Sequence, residues 1–470
     1  MGFLDTTKRV HVIGAGGIGV SAVARLLRHE GKEVSGSDVA RNETVDELIV
    51  SGIPVTVGHD AANLPDGADL VVYSGAVPPS NPERAAATER GVRQLSYFEF
   101  LGEFSKERWT IAVSGTNGKS TTTAMLGLML ERGGLDPTVI VGSKVRTFPG
   151  KNLRLGESKY FVVEACEHEA NMLKLRPKMI VLTNIEEDHL DFYRDLAHIS
   201  ATFREYVHNL PPDGKLVLNA DDHVSFSELA PAVPFTTYAM EHPAAYMVRD
   251  LSVGNGRQLF RIARTRDGKE EPLGGFELGV PGRFNVMNAL AAATAALELG
   301  CPVDAVAETL REFTGIWRRF ERVGERNGAV LVSDYGHHPT AIRGTLEAAR
   351  SFFPDRRIVL VFQPHQHNRT RKLFDEFVAS FDGADVVVLP EIFDVAGRES
   401  DEDAQVSSYD LAEATRRRDA GRGVTRQVHY GGVLIEALRF LETAIAPNDL
   451  VLLVGAGDVY TLAGKLRTSV

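Results

Sequence analysis

Along the first hundred residues, short apolar runs at 9–13, 33–37 and 69–73 alternate with stretches such as 18–29, where apolar side chains recur at helical spacing. Alternation of this kind predicts a parallel sheet with crossover helices. A second strand–loop–helix start lies at 109–123, after the charged run 102–108. Between 248 and 280 the period shortens to that of strands, with Arg266-Asp267-Gly268-Lys269 as a turn, which predicts hairpins. Helical patterns follow at 285–299 and 303–313. A third series places strands at 329–333, 357–362, 385–389 and 450–454, and helices at 340–352, 370–381, 409–417 and 433–444. The pattern predicts an α/β chain of three domains, 1–107, 108–320 and 321–470, and 470 residues suffice for three cores.

Composition narrows the function. With 52 Lys+Arg against 63 Asp+Glu, the net charge of −11 argues against a nucleic-acid partner, which would need cations to neutralise phosphates. It does not exclude small anionic ligands held by backbone amides. Two cysteines, Cys166 and Cys301, are too few for a disulfide framework or a four-thiolate zinc site. No long apolar span or leader pattern is present, so a cytoplasmic protein without membrane contact is expected.

Two glycine-rich turns carry the candidate chemistry. The first is Gly14-Ala15-Gly16-Gly17-Ile18-Gly19, between a strand and a helix, with Asp38 farther on. Small residues let backbone N–H groups approach a pyrophosphate at a helix N-terminus. A ligand-free tight turn and a nicotinamide-linked oxidoreductase are alternatives. Scarcely more than one mononucleotide-binding half fits before Trp109, so a nucleoside-diphosphate group on a substrate fits better. The second turn, Ser114-Gly115-Thr116-Asn117-Gly118-Lys119-Ser120-Thr121-Thr122, is a P-loop variant, shorter between its glycines than the usual form. Its amides suit phosphate, Lys119 the β and γ oxygens, and Ser120 a Mg²⁺ ion.

Gly115-Thr116-x-Gly118-Lys119-Ser120-Thr121 resembles the ATP loop of the Mur ligase superfamily, ATP-dependent amide-forming enzymes of three domains. With the N-terminal Gly-Gly-Ile-Gly turn, the resemblance points to the alanine-adding branch and runs from about Val10 to Gly457. It implies a Rossmann-like first domain for a UDP-sugar, a central P-loop ATPase domain and an α/β C-terminal domain. It further implies ATP and Mg²⁺ as cofactors, UDP-N-acetylmuramate and L-alanine as partners, and a monomer or weak homodimer. The branch adding a preformed tripeptide to the same sugar nucleotide remains an alternative, as does a nonenzymatic nucleotide-dependent binding module.

Site residues follow from the same resemblance. Gly115, Thr116, Asn117, Gly118, Lys119, Ser120 and Thr121 are expected at ATP, joined by Asn285 and Asn288 of Phe284-Asn285-Val286-Met287-Asn288, by Arg319 of Trp317-Arg318-Arg319-Phe320, and by Asp334. Gly14, Gly16, Gly17, Ile18, Gly19, Ser37, Asp38 and Ser74 are expected around the substrate, with His337, His365 and Arg369 from the third domain. Ser120, Glu164 and His189 are the expected metal ligands, and Lys119, His189, Arg319 and His337 the catalytic set. Three departures from the family pattern stand out. Cys166 replaces an Asp, leaving Glu167 and Glu169 without assigned roles; Phe284 replaces a His; Gln366 replaces a cation. The stretch 179–214 contains no lysine, whereas several relatives carry a carbamylated lysine there, which again favours the alanine-adding branch.

Overall fold

The computed structural model describes residues 2–189, 192–229, 234–254, 256–394 and 406–467. The chain forms two compact units, one built from Met1–Asp250, Phe260–Phe276 and Met287–Arg311, the other from Leu251–Leu259, Glu277–Val286 and Glu312–Val470.

Two sheets organise the first unit. The N-terminal sheet is fully parallel in the order Val55–Val57, Glu33–Asp38, Arg9–Ile13, Leu70–Tyr73, Arg93–Ser96. Strand order reverses at Arg9–Ile13, and such a switch point opens a crevice at the carboxyl ends of the strands. The first glycine turn sits there. In the second sheet, Trp109–Ser114 runs between Met179–Leu182 and Tyr160–Glu164, all parallel. The Ile111, Ala112 and Val113 side chains are fully buried, so the P-loop springs from a rigid central strand. Farther out, Arg257–Arg266 and Lys269–Leu278 are joined by Asp267 and Gly268, both at positive φ, which is the hairpin expected from the sequence.

The second unit carries a six-stranded sheet in the order Glu321–Arg326, Ala329–Asp334, Asp449–Val454, Arg357–Phe362, Val386–Pro390, Gln427–Gly432. Its neighbours are parallel except for the antiparallel edge strand Glu321–Arg326. Alternate residues feed opposite cores: Val330, Ile358, Leu360, Leu450 and Leu452 pack on one face, Leu331, Val359, Val361, Val451 and Leu453 on the other. A strand buried on both faces reads as a continuous apolar run, which is why these strands were visible from sequence. The edge strands Arg93–Ser96, Glu321–Arg326 and Gln427–Gly432 are too polar to announce themselves. One expected helix, 370–381, is two: His367–Lys372 and Phe374–Ser380, broken at Leu373, where ψ turns to 22°.

Leu452→Ala should destabilise the C-terminal sheet by about 2–5 kcal/mol, the usual cost of a cavity at a fully buried leucine. Hydrogen exchange of the Asp449–Val454 amides measures it, and these amides should exchange correspondingly faster.

Candidate active site

The P-loop is held open by glycine where nothing larger fits. Gly115 and Gly118 have φ of +129° and +84°, and a Cβ on them would lie 2.1 Å from Thr183 Oγ1 and 2.2 Å from Asn288 Oδ1. Opposing side chains pin the loop: the Asn117 amide donates to Asn184 Oδ1 at 2.9 Å, and Thr183 Oγ1 donates to the Asn117 carbonyl at 2.6 Å. The helix Lys119–Arg132 begins at Gly118 with no side-chain cap. A helix N-terminus left uncapped by side chains offers N–H groups and a positive dipole end to an anion.

Around this loop the acids form two groups. Ser120 Oγ donates to Glu164 Oε1 at 3.0 Å, and Glu164 Oε2 accepts from the Gly142 amide at 2.8 Å. Lys119 Nζ donates to the Gly115 and Thr116 carbonyls and to Glu167 Oε1 at 2.8 Å. His189 Nε2 lies 3.5 Å from the same Glu167 oxygen. His189 therefore groups with Glu167 and Asp188, whereas the sequence reading paired it with Glu164. Ligand atoms of Glu167, Asp188 and His189 all lie within 4.8 Å of one another. Asp191, two residues beyond His189, lies outside the described residues.

Burial pushes the Glu167 carboxyl upward, but the Lys119 charge and hydrogen bonds from His189 and Lys119 outweigh it and hold the group below its ordinary range. The hydrogen bond to Glu167 raises His189. Glu167 is 3 % exposed, and its Oε2 is buried without a partner. An orphaned carboxylate oxygen beside a second carboxylate and an imidazole fits a hard divalent cation. Burial and then Glu167 push the Cys166 thiol up to about 11, away from the thiolate that a nucleophile needs.

The first glycine turn is held by the strand beside it. The Gly14 and Ala15 amides donate to the Ser37 carbonyl, and the Gly16 amide donates to Asp38 Oδ2 at 2.7 Å. A Cβ on Gly14, at φ +78°, would press within 2.9 Å of Ser74. Gly17 starts the helix Ile18–His29, again with no side-chain cap. Ser37 departs from the substrate-contact reading: its hydroxyl is buried and donates to Glu83 Oε2 at 2.5 Å, in a cluster with His11 and His59. Its contribution to the turn is its carbonyl.

Both turns belong to one compact unit, and the segment 141–152 ties them together. Asn152 Nδ2 donates to the Ile18 carbonyl at 2.6 Å, while the Asn152 carbonyl accepts from Val141, whose neighbour Gly142 holds Glu164. Arg25 reaches the Gly150 carbonyl at 3.2 Å. Lys144 and Lys151 pair with Glu43 at 3.0 and 2.9 Å and hold its carboxyl down to about 2. Tyr97, just after the capping box Ser96/Glu99, stands against the first turn: a Cβ on Gly19 would lie 2.7 Å from Tyr97 Cζ.

In the second unit, the paired arginines have separate jobs. Arg318 is 4 % exposed, donates to the Ala456 and Gly457 carbonyls at 3.3 and 2.9 Å, and lies over the Tyr335 and Tyr460 rings. Arg319 is exposed over Tyr335, 5.3 Å from its centroid. Asp334 accepts from the Phe320 and Gly336 amides at 2.8 Å each, fixing the turn that presents Arg319. A carboxylate retains lone pairs beyond these two. Asn285 is turned onto its own helix start, donating to the Pro281 carbonyl at 2.7 Å, whereas Asn288 stands against Gly118.

His337, His365 and Arg369 gather at the carboxyl ends of the sheet. The His337 and His365 rings are 6.4 Å apart, and Arg369 Nη1 lies 3.5 Å from His365 Nδ1. Burial, then the charge of Arg369, pushes His337 down to about 4, so the ring is neutral near pH 7 and keeps a lone pair.

Sequence reasoning did not find Glu167 as the hub, Arg318 as the anchor, or Asn152 and Tyr97 as links. Only Glu167 left a signal, as an acid just past the buried strand carrying Glu164.

The chain matches the Mur ligase family catalytic domain over residues 9–109, the Mur ligase middle domain over 113–296 and the Mur ligase glutamate ligase domain over 318–457. It is 40% identical to the UDP-N-acetylmuramate--L-alanine ligase of Clostridium novyi, over 97% of this chain and 96% of that one. The structure of the UDP-N-acetylmuramate-alanine ligase of Thermotoga maritima superposes with a TM-score of 0.81 at 27% identity, covering 97% of this chain and 98% of the other. The murein peptide ligase of Psychrobacter arcticus superposes at 0.68 with 25% identity, covering 98% of each chain. Among the described residues, no helix is long and apolar enough to cross a membrane.

The depressed His337 value has a measurable sign. Its folded pKa lies below the unfolded value near 6.5, so its contribution to stability is present above about pH 6.5 and lost as pH falls toward 4. NMR titration of His337 should show a midpoint well below 6, and Arg369→Gln should move it upward.

Proposed function

Because this chain belongs to the Mur ligase family, we propose that it joins L-alanine to the lactyl carboxylate of UDP-N-acetylmuramate, converting ATP to ADP and phosphate. One observation carries the reading: two helix N-termini uncapped by side chains, each behind a glycine turn, are tied together by the segment 141–152 within one compact unit. One turn suits the diphosphate of a sugar nucleotide and the other the triphosphate of ATP. Residues 1–107 then hold the sugar nucleotide, 108–320 the ATP, and 321–470 the amino acid.

The lactyl carboxylate oxygen attacks the γ-phosphorus; the bond to the β,γ-bridging oxygen breaks, ADP leaves and an acyl phosphate forms. Lys119 exchanges Glu167 for the phosphate oxygens and neutralises charge that spreads during transfer. Arg319, the exposed member of its pair, supplies a second cation to the γ-phosphate. Glu167, Asp188 and His189 would hold one Mg²⁺ ion, and Ser120 with Glu164 another, to supply further charge neutralisation at the phosphates. The neutral amine of alanine attacks the acyl carbon, phosphate departs, and the amine gives up a proton. His337, neutral with an available lone pair, is the acceptor best suited to that proton. Arg369 and His365 flank it as partners for the amino-acid carboxylate.

The tripeptide-adding reading has its support in the likeness to the Psychrobacter arcticus ligase, and the nicotinamide reading only in the first turn. ADP release with UDP-N-acetylmuramate against a panel of amino acids and the tripeptide, with mass detection of product, separates them. L-Alanine should give the highest kcat/KM; turnover with the tripeptide alone would overturn the assignment. Lys119→Ala should lower kcat by about 10²- to 10³-fold. Glu167→Gln should shift the Mg²⁺ dependence of activity to higher concentration, and an unchanged titration would remove Glu167 from the metal set.

A further inference from the structure

Between the two turns one side chain has no assigned work. Tyr97 begins the helix Tyr97–Lys106, placed by the reciprocal bonds of its cap: the Glu99 amide donates to Ser96 Oγ, and the Ser96 amide to Glu99 Oε2 at 2.7 Å. Its ring edge packs on Phe98 at a centroid distance of 4.9 Å, so the side chain is braced from behind. The hydroxyl-bearing carbon faces Gly19, in the first turn of the helix that starts the sugar-nucleotide loop. Only glycine leaves room for this approach, because any Cβ there would overlap the ring. The phenol also lies within electrostatic reach of Glu164 and Cys166, at the end of the strand that meets Ser120. Burial, then Glu164, raises the phenol above its ordinary range, so it is a neutral donor throughout the working pH range.

A neutral donor packed on the helix start of the diphosphate turn, and within electrostatic reach of Glu164, is suited to meet a carboxylate carried by a ligand of that turn. A cation there would compete with Lys119 for phosphate, and an acid would repel the substrate; a phenol does neither. Resting on the functional reading above, we propose that Tyr97 is a substrate-contacting residue whose hydroxyl donates a hydrogen bond to the lactyl carboxylate and orients it toward the γ-phosphate. The ring sets the spacing to Gly19, and the hydroxyl reads the carboxylate.

The test is Tyr97→Phe, which keeps the ring against Gly19 and Phe98 and removes only the donor. Equilibrium binding to wild type and variant is measured with UDP, UDP-N-acetylglucosamine and UDP-N-acetylmuramate, of which only the last carries the carboxylate. Y97F should bind the first two as wild type does and the third about 10- to 100-fold more weakly, the usual range for a lost hydrogen bond to a charged group. Its kcat/KM for the sugar nucleotide should fall in step, with KM for ATP unchanged. Equal weakening of all three ligands would show that Tyr97 only shapes the loop, and no weakening would show that it does not touch the carboxylate; either overturns the proposal. Wild-type protein that fails to distinguish UDP-N-acetylmuramate from UDP-N-acetylglucosamine would instead overturn the functional reading beneath it.

Discussion

The bond from Asn152 to the Ile18 carbonyl ties segment 141–152 to the first of two helix starts, uncapped by side chains, that sequence separates by a hundred residues. A carboxylate and a γ-phosphate react only when brought within van der Waals contact and in line, and most of the barrier lost by positioning depends on holding that geometry. Segment 141–152 gives the hold physical form. It reaches the first helix through Asn152 and Arg25, the acidic face of the helix Glu43–Val50 through Lys144 and Lys151, and the P-loop side through Gly142 and Glu164. The lysine pairs end on the exposed Glu43 and contribute little individually, so the bond of the buried Asn152 carries most of the constraint.

At rest the cation of the P-loop is held by an acid of the same site. Lys119 rests on Glu167, a buried carboxylate with one oxygen unpartnered. On the proposed reaction, a triphosphate would draw the ammonium away and leave the acid to a metal ion. In the second unit the same economy appears with opposite sign: Arg318 is committed to backbone carbonyls and aromatic rings, which leaves Arg319 as the cation presented outward. Burial, then the charge of Arg369, keeps His337 neutral.

The strands that hold the site were legible because both their faces are buried: Trp109–Ser114 and Arg357–Phe362 are nearly uninterrupted apolar runs. The P-loop was legible because Gly115, Gly118 and Lys119 each answer a steric or electrostatic need that no other residue meets. Links made across the fold were not. Nothing local to Asn152 or Tyr97 reveals that Ile18 or Gly19 will lie beside it, and Ser37 carries no sign that Glu83, on a distant helix, will claim its hydroxyl. Within the arginine pair, the identity of the buried member depends on carbonyls at 455–457, far along the chain. Periodicity reports which face of an element is buried, and only the assembled structure reports against what.

In the proposed reaction the two turns deliver the substrate carboxylate directly to the terminal phosphoryl group. Isotope transfer tests it most directly: UDP-N-acetylmuramate labelled with ¹⁸O in the lactyl carboxylate is turned over with ATP and L-alanine, and the released phosphate is analysed by mass. Direct attack followed by amide formation leaves one carboxylate oxygen on phosphate, so the phosphate should carry a single ¹⁸O per product formed. Unlabelled phosphate accompanying labelled amide product would contradict the account.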